Sequence, residues 1–200
     1  PLTQEPPENV YMIPKRPAAQ ASHPNYIEVY FEKGAPKKLD GKSYRLKSLI
    51  NHLNEVGGLY GVGRSDMVEN RLVGIKSREI YEAPAATILH IAHKELEALV
   101  LDRELAHFKE IISLKYAELV YNGLWFSPLK EALDAFVKST QKHVTGSIKL
   151  KLFKGNCVAV GRKSTHSLYK KELSTYGKED KFDRKLAEGF IKLWGMPYKR

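Results

Sequence analysis

Charged and polar side chains are concentrated between Asp66 and Tyr81, on two short segments that we predict to be paired strands. A carboxylate on such strands can pair with an α-ammonium group, and an arginine or a tyrosine can bind a carboxylate or a carbonyl. This density suits the binding of a zwitterionic ligand. A solvated hairpin held by salt bridges explains the same composition, and composition alone slightly favours this second interpretation. The polar residues concerned are Asp66, Glu69, Arg71, Lys76, Arg78, Glu79 and Tyr81.

A glycine-rich string, Gly61-Val62-Gly63-Arg64, stands directly before this segment. A ligand contact and a turn that needs unusual backbone angles explain it about equally well. The chain contains no phosphate-binding loop of the GxxxxGK[ST] type, so the sequence does not predict a complete nucleotide site.

Two histidines and a glutamate, His90, His93 and Glu97, are spaced so that one helix face could carry all three. Metal sites on helices more often use residues four apart, and no cysteine or carboxylate cluster stands nearby. We therefore favour capping or core histidines. The sequence predicts no metal ligand and no catalytic residue in this chain.

The thiol and hydroxyl groups give little support to nucleophilic catalysis. Cys157 lies in the apolar run CVAV, which is typical of a buried free thiol and not of a reactive one. Ser164 and Ser167 flank His166, but spacing within one loop provides neither triad geometry nor an orienting acid. Asp102-Arg103-Glu104 is most simply an ion cluster on a helix surface.

The composition is that of an ordinary globular protein, with 42% hydrophobic and 28% charged residues. It predicts neither a membrane segment nor a signal peptide, and the single cysteine excludes an internal disulfide; we expect a cytoplasmic protein. The net charge of +10 is spread along the whole chain, which disfavours nucleic-acid binding. Because Pro1 and not methionine opens the chain, we expect a processed chain or a fragment.

The strands that must position these residues are indicated by alternation. Residues 1–24 carry six of the ten prolines and are predicted to form an extended arm. A strand containing Ile27, Val29 and Phe31 follows, then the turn KGAPKK, and two strands with a tight turn near Asn70. A further hairpin, VTGSIKLKLFKGNCVAVGRKS, turns at Lys154-Gly155-Asn156 and presents its lysines to solvent.

Helical spacing accounts for most of the remaining chain. Ser43 is predicted to cap a helix that ends at Gly57-Gly58, and Pro84 to open a helical segment that continues to Gly123. Ser127-Pro128 predicts another helix start. That helix is expected to bury Ala132, Leu133, Phe136 and Val137, and a terminal helix to carry Phe182, Leu186, Phe190, Leu193 and Trp194. Strands and helices without regular βαβ alternation predict an α+β fold with a mixed or antiparallel sheet.

Several long motifs in order resemble the argininosuccinate synthase family. They begin with a GxGR-x-D-x-VENR core that leads into G-x-KSR-x-x-YE-x-P, as in GVGRSDMVENRLVGIKSREIYEAP. The likeness covers essentially everything from Tyr26 onward, although the final WGMPYKR departs from typical members. The further motifs are AH, LDRE, AELVYNGLWFSPL, QKHVTGSIKLKLFKG, GRKSTHSLY and EGFIKLWG.

The resemblance implies the carboxyl-terminal half of a ligase that joins citrulline to aspartate while ATP is cleaved to AMP and pyrophosphate. It implies that a missing amino-terminal domain binds most of the ATP, with its Mg²⁺, and makes the aspartate contacts. Glu69 and Tyr81 match citrulline-binding positions of the family, and Gly63 and Arg64 match a stretch near the nucleotide. The half alone is expected to be inactive.

The resemblance also implies a homotetramer and a division of the chain into three parts. Residues 1–24 are expected to be the linker from the missing domain, 25–180 the synthetase domain, and 181–200 a tail that packs on a neighbouring subunit. No nucleic-acid or membrane partner is expected. Two alternatives stay open, a purely structural oligomerisation module and a basic nucleic-acid-binding domain.

Overall fold

The computed structural model describes residues 2–14, 22–174, 181 and 183–199. The chain divides into two compact units, Pro1–Ser167 and Leu168–Arg200. Among the described residues, no helix is both long enough and apolar enough to cross a lipid bilayer.

Two antiparallel sheets form in the first unit, one of five strands in the order β3-β2-β1-β6-β7 and one of two strands, β4-β5. The strands in chain order are β1 (Asn25–Glu32), β2 (Ala35–Leu39), β3 (Lys42–Ser43), β4 (Arg64–Asn70), β5 (Lys76–Glu82), β6 (Gly146–Phe153) and β7 (Asn156–Lys163).

Alternating apolar residues place the core on one face of the larger sheet. Ile27 lies opposite Leu150, and Val29 lies opposite Ile148. All four side chains are buried. They lie on the same face of the sheet, because side chains two apart on a strand point to the same side. The predicted strand around Phe31 and the predicted hairpin at Lys154-Gly155 are thereby confirmed.

Six α-helices are described: α1 (Leu46–Leu59), α2 (Pro84–Val100), α3 (Arg103–Tyr121), α4 (Pro128–Thr140), α5 (Lys171–Ser174) and α6 (Lys185–Trp194). Helix α2 packs against β6 and β7, and α1 packs against α2. The buried side chains Leu49 and Leu53 of α1, with Ile88 and Leu96 of α2, complete the core. The fold is therefore α+β with antiparallel sheets, as predicted.

The predicted continuous helical segment from Pro84 to Gly123 is wrong at its middle. Leu101 and Asp102 have extended backbone, with ψ of 143° and 163°, and separate α2 from α3. The Asp102 carboxylate accepts a hydrogen bond from the Leu105 backbone N–H at 3.0 Å and thus caps α3. Asp102 is accordingly a helix cap, whereas Arg103 and Glu104 form a surface ion pair.

Both predicted ends of α1 need correction. Ser43 does not cap the helix, since it lies in β3 opposite Lys38, and α1 begins after Arg45 without a side-chain cap. Gly57 and Gly58 do not end it either, because both lie within the helix and are buried. A Cβ on Gly57 would approach Pro84 Cβ to 2.8 Å, so the glycine lets α1 and α2 pack closely.

The turn after β1 is shorter than the predicted KGAPKK, because the strand β2 already begins at Ala35. Pro36 lies in this strand at a shift of register between Tyr30 and Phe31. The short strand β3 pairs with Lys38 and Leu39. Pro36 has no backbone N–H to donate to a neighbouring strand. It is tolerated because its pairing with β1 is irregular and because β3, on the other side, pairs only with Lys38 and Leu39.

The predicted helix start at Ser127-Pro128 is confirmed, because the Ser127 hydroxyl accepts a hydrogen bond from the Lys130 N–H at 3.3 Å. Helix α4 packs on α3, where the Phe108 and Phe136 rings meet edge to face at 5.6 Å. Leu133 is buried, but Ala132 is exposed and was wrongly placed in the core.

The second unit contains α5, α6 and a 3₁₀ turn at Met196–Tyr198. The predicted terminal helix is confirmed as α6, in which Phe190 and Trp194 stack with ring centroids 5.6 Å apart. Leu186, Phe190, Leu193 and Trp194 are all exposed in this single chain. Phe182, assigned to the same stripe, lies outside the described residues.

Candidate functional site

The β4-β5 hairpin carries the predicted substrate residues, and its pairing register divides them between two faces. Ser65 lies opposite Tyr81, Met67 opposite Glu79, and Glu69 opposite Ser77. We call this side the front face. The back face carries the pairs Arg64 with Glu82, Asp66 with Ile80, and Val68 with Arg78.

On the front face the structure brings Glu69 and Tyr81 together. The Tyr81 hydroxyl donates to the Glu69 carboxylate, with both carboxylate oxygens 3.0 Å away. Tyr81 is 42% exposed. A ligand arriving from solvent can therefore meet a carboxylate and a hydroxyl side by side.

The hydrogen bond also fixes the protonation of the tyrosine. Hydrogen bonding to Glu69, followed by partial burial and the negative charge of Glu69, raises the pKa of Tyr81 above its ordinary value of 10.0. The phenol therefore keeps its proton at neutral pH and acts as a hydrogen-bond donor or acceptor. Acid–base chemistry near neutrality is not expected of it.

A second ion pair stiffens the back face. Arg78 donates from Nε to Asp66 Oδ1 at 2.8 Å and from Nη2 to Asp66 Oδ2 at 2.6 Å. This two-pronged contact with Arg78 lowers the pKa of Asp66. The salt-bridged interpretation of the segment therefore holds for Asp66 and Arg78, and also for Arg71 and Glu79 at 3.3 Å.

Gly63 has a structural explanation. Its φ is +89°, and a Cβ there would stand 2.5 Å from the Pro84 nitrogen and 2.6 Å from the Ala83 carbonyl carbon. The Ala83 N–H also donates to the Gly63 carbonyl oxygen at 2.8 Å. A glycine is thus required where the two ends of the hairpin meet the start of α2. Its predicted proximity to a nucleotide stays a prediction.

The guanidinium of Arg64 contacts the amino-terminal arm. Its Nη1 atom donates to both carboxylate oxygens of Glu8 at 3.1 Å, and its Nη2 atom donates to the Pro14 carbonyl oxygen at 2.7 Å. The guanidinium carbon lies over the Tyr11 ring, 3.9 Å from the ring centroid. Arg64 is 19% exposed. Its predicted approach to a nucleotide would have to coexist with, or replace, these contacts.

Glu82, which lies opposite Arg64 on the back face, also contacts the amino-terminal arm. Its Oε1 atom accepts hydrogen bonds from the backbone N–H groups of Met12 and Ile13, at 2.7 and 2.8 Å. Sequence reasoning missed Glu82 and the arm contacts. No local pattern indicates them, because they join residues 50 to 70 positions apart.

The residues considered for a metal site are engaged with each other and with the chain around them. Glu97 accepts a hydrogen bond from Gln141 Nε2 at 2.6 Å and lies 3.1 Å from Lys109 Nζ. The His93 Nε2 and Gln141 Oε1 atoms are 2.8 Å apart, whereas His90 is exposed. The described residues contain no group of three or more histidine, cysteine, aspartate or glutamate side chains placed to hold a metal ion.

A groove of about 870 Å³ lies between α2 and α3, above this polar network. Its lining includes His90, Lys94, His107 and Glu110 but none of the hairpin residues. Lys94 and Glu110 form an ion pair across it at 2.8 Å. The groove and the predicted substrate residues are therefore separate features.

The surroundings of Cys157 and Ser164, the remaining nucleophile candidates, indicate structural roles. Cys157 is partly buried, and desolvation raises the pKa of its thiol to about 11. The Ser164 hydroxyl donates to the Thr145 carbonyl oxygen at 2.6 Å and accepts from the His166 backbone N–H at 3.0 Å. These contacts hold a loop in place.

Comparison with known proteins gives a match over the whole chain. Residues 1–200 match the family model described as arginosuccinate synthase C-terminal domain. A protein named argininosuccinate synthase from Bacillus subtilis (strain 168) is 57% identical over 194 residues, which is 97% of this chain. Proteins of the same name from Synechococcus sp. (strain JA-3-3Ab) and Caldanaerobacter subterraneus are each 55% identical, over 97% and 98% of this chain.

The match covers only part of each relative. In all three, the aligned segment is 48% of the relative's own length. The chain thus spans about half the length of the curated relatives it matches.

Proposed function

Because the chain belongs to the argininosuccinate synthase family and carries its carboxyl-terminal domain, we propose that it supplies citrulline contacts to a ligase that makes argininosuccinate. The observation that carries this proposal is the hydrogen-bonded pair of Glu69 and Tyr81 on the exposed front face of the hairpin. The remainder of the site belongs to the half of the enzyme that this chain does not span.

The proposed reaction has two steps. The ureido oxygen of citrulline attacks the α-phosphorus of ATP, and the bond to the β-phosphate oxygen breaks with release of pyrophosphate. The α-amino group of aspartate then attacks the ureido carbon of the adenylate, loses a proton, and displaces AMP. The products are argininosuccinate, AMP and pyrophosphate.

Glu69 and Tyr81 have positioning roles in this proposal. The Glu69 carboxylate pairs with the α-ammonium group of citrulline, and the Tyr81 hydroxyl bonds a polar group of the same substrate. A carboxylate has about four lone-pair sites, so Glu69 can accept from the ammonium group without releasing Tyr81. Fixing the amino-acid end of citrulline orients its ureido oxygen for attack.

ATP is a substrate in this scheme, and its phosphates would be held mainly by the other half. Gly63 and Arg64 are the residues of this chain proposed to lie near the nucleotide. Arg64 would stabilise the charge that builds on pyrophosphate through its positive charge, while its guanidinium keeps its contacts with Glu8. Among the described residues, no group of three or more histidine, cysteine, aspartate or glutamate side chains is placed to hold the Mg²⁺ that accompanies ATP.

Assembly is the second proposed contribution of this half. The exposed apolar stripe of α6, with Phe190 and Trp194, suits packing against a neighbouring subunit of a homotetramer. Such an assembly would function in the cytoplasm, where citrulline, aspartate and ATP are its partners.

The direct test is argininosuccinate formation by a chimaera. This chain replaces the matching 194-residue segment of the Bacillus subtilis relative, and the product is measured with citrulline, aspartate and ATP. We expect activity in the chimaera and none in this chain alone. The chimaera is also measured with Glu69→Ala. A chimaera with Glu55→Gln, an exposed glutamate of α1, is the control for a generic loss of charge in that variant.

Two results would contradict the proposal. Turnover by this chain alone, after contaminating enzyme has been excluded, would show that it does not need the other half. An active chimaera whose citrulline KM is unaffected by Glu69→Ala would leave this chain a purely structural module.

A further inference from the structure

The hairpin needs support beyond its own pairing. A two-stranded sheet is marginally stable at best in water, and within the described part of the chain β4 pairs with β5 alone. Its apolar side chains are largely exposed, including Met67, Val68, Leu72, Val73 and Ile75. Something else must therefore hold the strands that present Glu69 and Tyr81.

Among the described residues, contacts from other parts of the chain hold the hairpin at both ends of its strands. At the far end, the Tyr121 hydroxyl of α3 donates to the Asn70 carbonyl oxygen at 3.2 Å. At the near end, arm residues 8–14 lie on the back face. There Arg64 binds Glu8, Tyr11 and the Pro14 carbonyl, and Glu82 binds the N–H groups of Met12 and Ile13.

The arm is itself seated on the core of the first unit. Pro14 is buried, and the Ile13 carbonyl oxygen is so close to α1 that a Cβ on Gly58 would come within 2.7 Å of it. The arm therefore forms a bridge from the end of α1 to the base of the hairpin.

We infer that Arg64 and Glu82 are positioning residues, which use arm residues 8–14 as a strap to fix the hairpin and hence the citrulline contacts of Glu69 and Tyr81. The strap acts on the back face, and the substrate residues lie on the front face. The consequence for citrulline binding rests on the function proposed above. The inference that the arm fixes the hairpin does not rest on that function, since it concerns only contacts within this chain.

The chemistry of the strap suits a fixed geometry more than simple adhesion. Arg64 contacts a carboxylate, a carbonyl and an aromatic ring at once through a rigid, planar guanidinium, whereas a lysine would offer only a flexible point charge. Its Nε atom is buried without a hydrogen-bond partner among the described residues. A buried donor without a partner is destabilising, which the other contacts of Arg64 must offset. The contacts described for this guanidinium are with the arm, so its orientation depends on the arm being in place.

The first test measures backbone amide exchange in this 200-residue chain. In Glu82→Ala, the amides of Met12 and Ile13 should exchange at least about tenfold faster, because each loses a bond to a charged acceptor. If the strap positions the hairpin, β5 amides should also exchange several-fold faster. Glu82→Gln keeps an oxygen that can accept both N–H groups and should restore most of the protection. Glu55→Gln is the charge control.

The second test measures KM for each substrate in the chimaera. Glu82→Ala and Tyr11→Ala should each raise the citrulline KM about tenfold and change the aspartate KM less than about twofold. A general loss of folding would not separate the two substrates. Tyr11→Ala alters the arm only, so it keeps the test valid if Glu82→Ala fails to fold.

The outcomes separate this inference from the proposed function. Faster exchange at Met12 and Ile13 with unchanged β5 amides and unchanged citrulline KM would show that the arm is a passive passenger, and would overturn the inference. A chimaera without any turnover would count against the proposed function instead. The exchange of β5 would still decide whether the strap holds the hairpin.

Discussion

At the scale of single residues, the most informative contact is the hydrogen bond between Tyr81 and Glu69. Each would otherwise sample several rotamers on an exposed strand, and ordering a long side chain costs up to about 2 kcal/mol. The bond at 3.0 Å limits that freedom before any ligand arrives. The pair is therefore partly preorganised, which reduces the entropic cost of binding.

Substitution of the pair should separate its two members. In the chimaera, Glu69→Gln should raise the citrulline KM about 10- to 150-fold, because a bond to a charged group contributes about 1.5–3 kcal/mol. Tyr81→Phe should raise it by about 10-fold or less, since it removes a hydroxyl but keeps the ring. Steady-state kinetics with varied citrulline measures both. Glu55→Gln, on α1 and outside the hairpin, should leave the citrulline KM nearly unchanged; an equal rise there would show that any lost surface charge suffices.

Cys157 should react slowly as long as the chain is folded. With a pKa of about 11, only about one thiol in a thousand is ionised at pH 8, against about one in ten at the ordinary value of 9.0. Modification by an aromatic disulfide reagent should therefore be about 100-fold slower in the native chain than in urea. Since burial raises the pKa, the native rate should keep rising through pH 10. A plateau near pH 9 would contradict the stated burial effect.

How far residues could be assigned from sequence depended on where their partners lie. Glu69 and Tyr81 were assigned through a resemblance to a family and share a face because of strand alternation. Glu82 was not assigned, because its partners are the backbone N–H groups of Met12 and Ile13 about seventy residues earlier. Backbone donors leave no trace in residue type. The arm was predicted as an extended linker from its prolines, which says nothing about what it contacts.

At the scale of elements, periodicity identified helices and strands but not their interruptions. The apolar spacing continues from Ile88 of α2 through Phe108 of α3, yet Leu101 and Asp102 are extended. A single carboxylate that caps the Leu105 N–H is enough to start a new helix. The opposite error occurred at Gly57-Gly58, where the sequence predicted a helix end but α1 continues. These glycines serve close packing inside α1, where a larger side chain would meet Pro84 or Ile13.

Two glycines in turns provide a matched test of packing at the element scale. Gly34 and Gly41 have φ of +78° and +79°, so alanine at either position should cost about 1–2 kcal/mol in backbone strain. A Cβ on Gly34 would in addition collide with the Gln141 side chain, whereas Gly41 has open space around it. Gln141 joins His93 to Glu97, so its displacement disturbs the network beneath the α2–α3 groove.

The free energy of unfolding in urea should therefore fall further for Gly34→Ala than for Gly41→Ala, by about 1–3 kcal/mol, because polar partners are left unsatisfied. Equal losses for the two variants would show that Gln141 moves aside at no cost.

At the scale of the whole molecule, the described residues expose large apolar side chains on several elements. They include Val68 and Val73 of the hairpin, Trp125 and Phe126 of the α3–α4 connection, and Phe190 and Trp194 of α6. Exposed apolar side chains that cluster on a folded protein mark interaction surfaces. A chain that spans about half of its relatives' length is expected to expose the surfaces on which the other half and other subunits would pack.

Helix α6 gives the sharpest test of assembly. Burying one large apolar side chain contributes about 1.5–3 kcal/mol, and Trp194 is 67% exposed in the single chain. Trp194→Asp should therefore lower the mass observed by sedimentation equilibrium from that of a tetramer to smaller species, with an unchanged circular dichroism spectrum. Glu188→Gln, on the same helix and paired with Lys192, is the control. If the unsubstituted chain is already a monomer at tens of micromolar, α6 does not drive assembly by itself. The proposed tetramer would then need contacts from outside this chain.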